Sequence, residues 1–300
     1  MPIQNQLTHR SCRGTSKLRA LLFALIATFA STAFAEEKLI SITNDVELQT
    51  TRDAAGKVTT NRVTCFHVHN LQSGDVTVTL EAKLKNYASE IPLPCTLTIP
   101  ANGDVEAFRI HTVDPNADSK WSYTYFATWG SLTAQHDDTT VYALPFASGA
   151  AYPVSQGFHG AFSHTAGDSY AIDFKMDIGT PVHAARNGVV VGVKDDSTVG
   201  GAEKKFEWDA NYIHIRHDDG TIAQYVHLQK GTARVKVGDA IKAGQWIGCS
   251  GNTGHTTGPH LHFAVFKAAD GKNRQTIPVR FKADGLIAQT LKEGATYRAL

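Results

Sequence analysis

The sequence predicts an all-β protein made of two antiparallel β domains. Short stretches alternate apolar and polar residues, Gly, Asn, Asp and Pro separate them, and the first half has no long 3.6-residue period that would indicate helices. The 300 residues, 42% of them hydrophobic, suffice for two medium-sized cores. With 29 basic and 28 acidic residues, the chain lacks the net positive charge that attracts nucleic acid, so we expect no nucleic-acid partner.

Residues 1–35 have the pattern of an export signal peptide. Four basic residues and no acidic residue precede an uncharged run that begins at Ala20 and ends at Ala33-Phe34-Ala35. The strictly apolar part of this run is too short to cross a bilayer of about 30 Å, and no later stretch approaches about 18 apolar residues. We expect cleavage before Glu36 and a periplasmic or secreted protein; an uncleaved anchor is the alternative.

Residues 36–143 predict a small antiparallel β-sandwich. The stretches 76–84 and 121–129 alternate in the manner of half-buried strands, and turn residues separate them. Residues 144–157 contain two prolines, two glycines and several small residues, which is typical of a linker. The second domain is then residues 158–300, with the boundary near Ala150.

The second domain also predicts antiparallel strands. Candidates begin at Gly188, Asn211, Ile222 and His260, and the Asp-Gly pair within 217–221 is a hairpin signal. Residues 195–209 combine charges with two adjacent glycines, which indicates an exposed loop that could border a groove.

Three cysteines follow the predicted signal peptide. In an oxidising compartment two of them can pair, and Cys65 with Cys95 is the expected disulfide because both lie in the same β-rich segment. Cys249 lies in a short apolar run and should pack as a small hydrophobic residue. The alternative is that all three are free and buried.

Two histidines follow a glycine-rich turn near the end of the second domain. His260 and His262 are two residues apart at the start of a predicted strand, so both imidazoles should face the same side. His67 and His69 repeat this spacing without an acidic or glycine-rich context, and we interpret them as ordinary strand residues.

Further candidate ligands lie upstream. Asp173 lies between Ile172 and Phe174, where an ionised carboxylate is unfavourable unless a cation or a hydrogen-bond donor stabilises it. His164 precedes it, and His227 ends another predicted strand. A mixed His and Asp set without several cysteines is typical of catalytic zinc, which keeps one position for water. Other divalent metals accept the same ligands, so zinc is only the first choice.

The order of these residues resembles that of the lysostaphin/LytM-type zinc metallopeptidases. The resemblance covers about Gln156 to Phe266 and includes "YAIDFKMDIGTPVHAARNGVV", "YVHL", "VKVGDAIKAGQWIGCSGNTG" and "TGPHLHF". It implies a LytM-type antiparallel fold that binds one Zn2+ through His164, Asp173 and His262. It further implies that His227 and His260 are catalytic histidines that do not bind the metal.

The spacing departs from the compact family pattern, because nine residues separate His164 from Asp173. His159 therefore competes for the position of the first ligand, and His183 is a more distant candidate. The resemblance places His164 where the family motif begins. Gly251, Gly254 and Gly258 are expected to be turn residues with positive φ. Tyr225 could contact substrate or pack in the core.

These inferences predict an exported, monomeric zinc endopeptidase that acts on peptide cross-links of bacterial peptidoglycan. The substrate class comes from the resemblance, whereas the hydrolytic site also follows from the residues. The alternatives are a metallopeptidase for secreted glycine-rich proteins, and a cell-wall binding module or activator of other wall hydrolases that lacks activity itself. The predicted sandwich has no diagnostic motif.

Overall fold

The computed structural model describes residues 39–52 and 54–300 and is an all-β protein, as the sequence predicts. The helical elements in these residues are two 3₁₀ helices, Ala166–Asp168 and Lys204–Asp209. Within the same residues, no helix is long and apolar enough to span a membrane. The predicted signal peptide, residues 1–35, lies outside the described residues.

Two sheets form the first half of the described chain. The first sheet has the strand order β1-β2-β6-β4 and the second has the order β5-β3-β7, with antiparallel pairing throughout. The strands are β1 Ile40–Arg52, β2 Val58–Asn70, β3 Val76–Lys85, β4 Tyr87–Ser89, β5 Cys95–Ile99, β6 Asp104–Thr112 and β7 Lys120–Trp129.

The core of this half lies between the two sheets. Phe66 on β2 stacks on Phe108 of β6, with 4.3 Å between ring centroids, and the edge of Trp121 on β7 meets Phe66 from the other sheet. Val78 and Leu80 on β3 are fully buried in the same cluster. The alternation that predicts these strands therefore also supplies the inward-facing side chains.

The predicted disulfide between Cys65 and Cys95 is wrong, since both thiols are free. Successive strand residues point to opposite faces, so Cys65 faces away from the core that its neighbour Phe66 fills. Cys95 instead packs against that core from the opposite sheet. Burial is the main reason that the pKa of Cys65 rises to about 11, although Arg109 opposes the rise.

A larger sheet organises the second half. Within the described residues it contains nine strands, in the order β16-β12-β14-β15-β19-β10-β9-β23, with β20 pairing the far end of β19. The remaining strands form small sheets, in which β8 with β21 and β13 with β18 are parallel pairs. The strands are β8 Val141–Ala143, β9 Ala151–Gln156, β10 Ile172–Phe174, β11 Pro181–His183, β12 Gly188–Lys194, β13 Gly200–Gly201, β14 Tyr212–Arg216, β15 Ile222–Val226, β16 Ala240–Ile241, β17 Trp246–Cys249, β18 Gly254–His255, β19 Leu261–Ala268, β20 Arg274–Thr276, β21 Arg280–Ala283, β22 Leu286–Gln289 and β23 Thr296–Arg298.

The segment 144–157, predicted as a linker, contains β9 and contributes to the second core. Leu144, Phe146 and Val154 are buried there. The pairing of β8 with β21 also places the last three residues of the predicted sandwich beside the C-terminal strands. The domain boundary itself stays a prediction.

The sandwich packs against the same face of the large sheet that carries Asp173 and His262. Trp129 at the end of β7 packs with Val191, Ile222 and Phe266 in a small apolar cluster. Ile222 pairs with Phe266 at one end of strands β15 and β19, whereas Val226 pairs with His262 at the other end. Residues 262, 264 and 266 share one face, so the docked sandwich and the candidate site lie at opposite ends of it.

Candidate metal centre

Two predicted ligands are paired directly across the large sheet. Asp173 on β10 lies opposite His262 on β19 in antiparallel register, so their side chains stand on the same face. Nδ1 of His262 lies 2.9 Å from Oδ1 of Asp173. The two-residue alternation of the sheet thus creates this part of the centre.

The third predicted ligand comes from the loop before the first 3₁₀ helix. His164 is 1% exposed, and its Nδ1 lies 2.8 Å from the carbonyl oxygen of Gly157. A carbonyl can only accept, so Nδ1 carries the proton and a neutral ring leaves Nε2 unprotonated. Nε2 lies 3.2 Å from Oδ1 of Asp173 and is buried without a hydrogen bond among the described residues. The second nitrogen of the ring therefore faces the Asp173 carboxylate.

The three side chains fit a divalent metal. One ligand atom from each of His164, Asp173 and His262 lies within 4.8 Å of the other two. Burial alone would raise the pKa of Asp173, but the two imidazoles hold it well below its usual range. Burial alone would also lower the pKa of His164, but Asp173 raises it. Both directions show that the ionised carboxylate and the imidazoles stabilise one another.

Gln156 supports this cluster and has no role in the sequence-based prediction. Its Nε2 donates to Oδ2 of Asp173 at 3.1 Å, and its Oε1 accepts from the backbone amides of Phe162 and Ser163. Gln156 thereby ties the loop before His164 to the Asp173 carboxylate. Such supporting partners orient metal ligands and tune their affinity. The signal that could have found Gln156 is cross-strand pairing of β9 with β10, which requires the register.

The predicted catalytic histidines lie beside the three candidate ligands. His227 directly follows β15 and has a φ of 65°, a left-handed conformation that is uncommon for a residue with a side chain. The ring of His227 lies 4.6 Å from that of His260 and 5.9 Å from that of His262, measured between centroids. Nε2 of His260 lies 3.7 Å from Oδ1 of Asp173.

Hydrogen bonds to backbone carbonyls orient both rings. Nδ1 of His227 donates to the carbonyl oxygen of Thr253 at 2.6 Å, and Nδ1 of His260 donates to that of Gly258 at 2.8 Å. In both neutral rings Nε2 is therefore the acceptor and the basic nitrogen.

Burial keeps these two rings neutral. Burial, helped by the neighbouring His260 and His262, lowers the pKa of His227 to about 3. It also lowers the pKa of His260, against the opposing effect of Asp173. At neutral pH each ring therefore offers a lone pair at Nε2.

The predicted exposed loop, residues 195–209, lies against the turn that precedes His260. Its β13 pairs with β18, and the amide of Thr256 donates to the carbonyl oxygen of Gly201 at 3.0 Å. The hydroxyl of Thr256 in turn donates to the carbonyl oxygen of Gly258, which holds the ring of His260. This loop thus supports one wall of the centre.

The glycines of this turn differ from one another. Gly254 has the predicted positive φ, 81°, whereas Gly251 and Gly258 do not. Position 251 requires glycine because the backbone packs closely there: an added Cβ would lie 2.5 Å from the backbone nitrogen of Gln229.

Tyr225 is fully buried, and its hydroxyl accepts a hydrogen bond from the amide of Ala185, so this side chain packs in the core.

The competing histidines lie outside the cluster of three. The ring of His159 packs against Tyr170, and Nδ1 of His183 bonds the carbonyl oxygen of Gly244. His67 and His69 lie in the sandwich, where the fold supplies acidic partners that sequence context did not indicate. The structure thus brings His164, Asp173, His227, His260 and His262 together, while their individual roles stay predictions.

One segment of the chain is similar to known peptidases. Residues 167–276 match peptidase family M23. Lysostaphin of Staphylococcus simulans is 35% identical over 170 residues, which are 54% of this chain and 31% of that protein. The peptidoglycan DD-endopeptidase ShyC of Vibrio cholerae is 38% identical over 105 residues, 35% of this chain and 22% of that protein. The chain thus spans less than a third of the length of these curated relatives.

Among solved structures, the catalytic domain of lysostaphin from S. simulans is 30% identical. The match covers 42% of this chain and 87% of that one, with a TM-score of 0.30. The match at residues 167–276 identifies this part of the chain as a peptidase family M23 domain.

Proposed function

We propose that this chain is an exported zinc endopeptidase that hydrolyses peptide bonds in peptidoglycan cross-links. The observation that carries the proposal is the cluster of His164, Asp173 and His262, in which one ligand atom of each residue lies within 4.8 Å of the other two. Two imidazoles and one carboxylate, with no fourth protein ligand among the described residues, are the donor set of catalytic zinc.

Zinc held by these three residues would supply a bound water with a pKa of about 7 and would polarise the substrate carbonyl. The protein contributes the other steps through His227 and His260. Each presents an unprotonated Nε2, so each can accept a hydrogen bond from the attacking water and orient it.

Proton transfer then follows from the same two rings. An imidazole that takes the water's proton becomes a donor at Nε2, and the developing oxyanion favours this charged form. The new imidazolium can stabilise the oxyanion or pass the proton to the departing amine as the C–N bond breaks. Water is added across the bond, and both histidines return to their neutral forms.

The names of the relatives support the proposed substrate class. ShyC is named a peptidoglycan DD-endopeptidase, and lysostaphin is described as an antimicrobial peptidase. Peptidoglycan lies outside the cytoplasm, which agrees with the export pattern of residues 1–35. Access to this substrate therefore requires the proposed export.

Digestion of purified peptidoglycan tests the proposal. The chain from residue 36 to residue 300 is incubated with the substrate, with and without a chelator, and the fragments are identified by mass spectrometry. We expect new amino termini at peptide cross-links, their loss with chelator, and their return with Zn2+. Zinc binding without release of fragments would contradict peptidoglycan as the substrate. Digestion of secreted glycine-rich proteins would then support the alternative, a metallopeptidase that acts on such proteins.

Three alanine variants separate the roles within the site. His262→Ala should lose zinc and activity together, because it removes a ligand. His227→Ala should keep zinc but lose about 10²- to 10⁴-fold in turnover, as expected for a general acid–base residue. His183→Ala lies outside the cluster and is the matched control. Full activity of His227→Ala would contradict its role, and a wild-type chain without zinc would favour the non-catalytic activator.

A further inference from the structure

Arg274 links two parts of the chain that carry candidate metal ligands. It opens β20, and its Nη2 donates to both carboxylate oxygens of Asp168, at 2.8 and 2.7 Å. Its Nη1 donates to Oε1 of Gln224 at 2.9 Å. One planar guanidinium thus serves two partners at once, which a lysine ammonium cannot do with the same geometry.

The Asp168 contact fixes the segment that contains His164. Asp168 ends the 3₁₀ helix between His164 and Asp173, so it lies four residues after the first candidate ligand and five before the second. The hydroxyl of Thr276, at the other end of β20, accepts from the amide of Tyr170 at 3.0 Å. Strand β20 therefore holds this segment at two points.

The Gln224 contact reaches the third candidate ligand. A guanidinium can only donate, so Arg274 requires Oε1 of Gln224 on its own side and turns the amide nitrogen the other way. That nitrogen lies 3.1 Å from Nε2 of His262. A neutral ring that accepts a hydrogen bond at Nε2 carries its proton on Nδ1, the nitrogen that faces Asp173, so this contact does not prepare His262 to bind a metal.

We propose that Arg274 is a positioning residue for the metal centre, holding the segment that contains His164 through Asp168. The proposal rests on the proposed function, in that His164 binds zinc. Arg274 touches none of the reacting atoms. Its contribution is to keep the segment between His164 and Asp173 in place before the metal arrives, which raises zinc affinity.

Zinc affinity, measured by competition with a chromophoric chelator, tests this inference on the chain from residue 36 to residue 300. Arg274→Met should weaken zinc binding about 10- to 100-fold, the usual effect of losing a partner that supports a metal ligand. Arg274→Lys keeps the charge beside Asp168 but not the planar fork, so it should show an intermediate loss.

Arg186→Met is the matched control. Arg186 also joins aspartates across the second half, through Asp218 and Asp219, but contacts none of the candidate ligands. Its loss should lower the melting temperature without changing zinc affinity by more than about twofold. If Arg274→Met keeps wild-type zinc affinity, or loses only what Arg186→Met loses at equal stability, the proposal is overturned.

Two further variants identify the route. Asp168→Asn should weaken zinc binding, and adding it to Arg274→Met should weaken zinc binding little further, because the contact is already lost. Unchanged affinity in Asp168→Asn would overturn the proposal. A wild-type chain that binds no zinc contradicts the proposed function itself, so the two failures are distinguishable.

Discussion

Protonation of His214 should destabilise the folded chain in acid. His214 lies on β14, stacked on Tyr212 with 4.3 Å between centroids, and the edges of Trp129 and Phe266 enclose it. Its Nδ1 is buried and has no hydrogen-bond partner in the part of the chain that the structure describes. Burial lowers the pKa of His214 to about 3, and the positive charge of Arg274 adds to this effect.

The size of the effect follows from proton linkage. An unfolded histidine has a pKa of about 6.5, so below that pH the unfolded chain binds a proton that His214 in the folded chain does not bind. The stability that neutral His214 contributes is fully present above about pH 6.5. It is lost progressively as the pH falls toward the pKa of the folded state. For folded and unfolded pKa values of about 3 and 6.5, the loss at pH 5 is about 2 kcal/mol.

His214→Phe isolates this contribution, because phenylalanine keeps an aromatic ring but cannot titrate. The free energy of unfolding is measured by guanidinium titration at pH 8 and pH 5, in chelator so that zinc does not contribute. We expect the decrease between the two pH values to be smaller in the variant by about 2 kcal/mol. If the variant retains the full decrease of the parent, His214 is not the buried neutral group described here.

Two further predictions concern the sandwich. Gly271→Ala should lower the free energy of unfolding by about 1–3 kcal/mol in guanidinium titration, because the new Cβ would overlap the backbone of Thr79 and Phe126. The control is Gly258→Ala, since a Cβ at position 258 would have no atom within 4 Å. Equal stability of the two variants would refute the close packing at Gly271. Thiol titration of the denatured chain from residue 36 to residue 300, purified without reductant, should find three free thiols, whereas a single thiol would restore the predicted disulfide.

Local pattern was enough to predict much of this fold. The stretches 76–84 and 121–129 became β3 and β7, and the Asp-Gly pair within 217–221 joins β14 to β15. Alternation and turn chemistry act over a few residues, so the sequence carries them directly. The disulfide prediction failed because it needed the face on which each cysteine lies.

The candidate site divides in the same way. The spacing of His260 and His262, and the apolar neighbours of Asp173, are visible in the sequence. Arg274, Gln224 and Asp168 are not, since 50 and 106 residues separate the arginine from its two partners. No short-range pattern connects such residues.

The sequence by itself thus determined the all-β class and the kinds of side chain available for metal chemistry, because both depend on local periodicity and residue type. Only the tertiary structure decided which side chains meet. The antiparallel register sets Asp173 opposite His262 and Gln156 beside Asp173. Strand pairing fixes these contacts because a shift of one residue would turn every side chain to the other face.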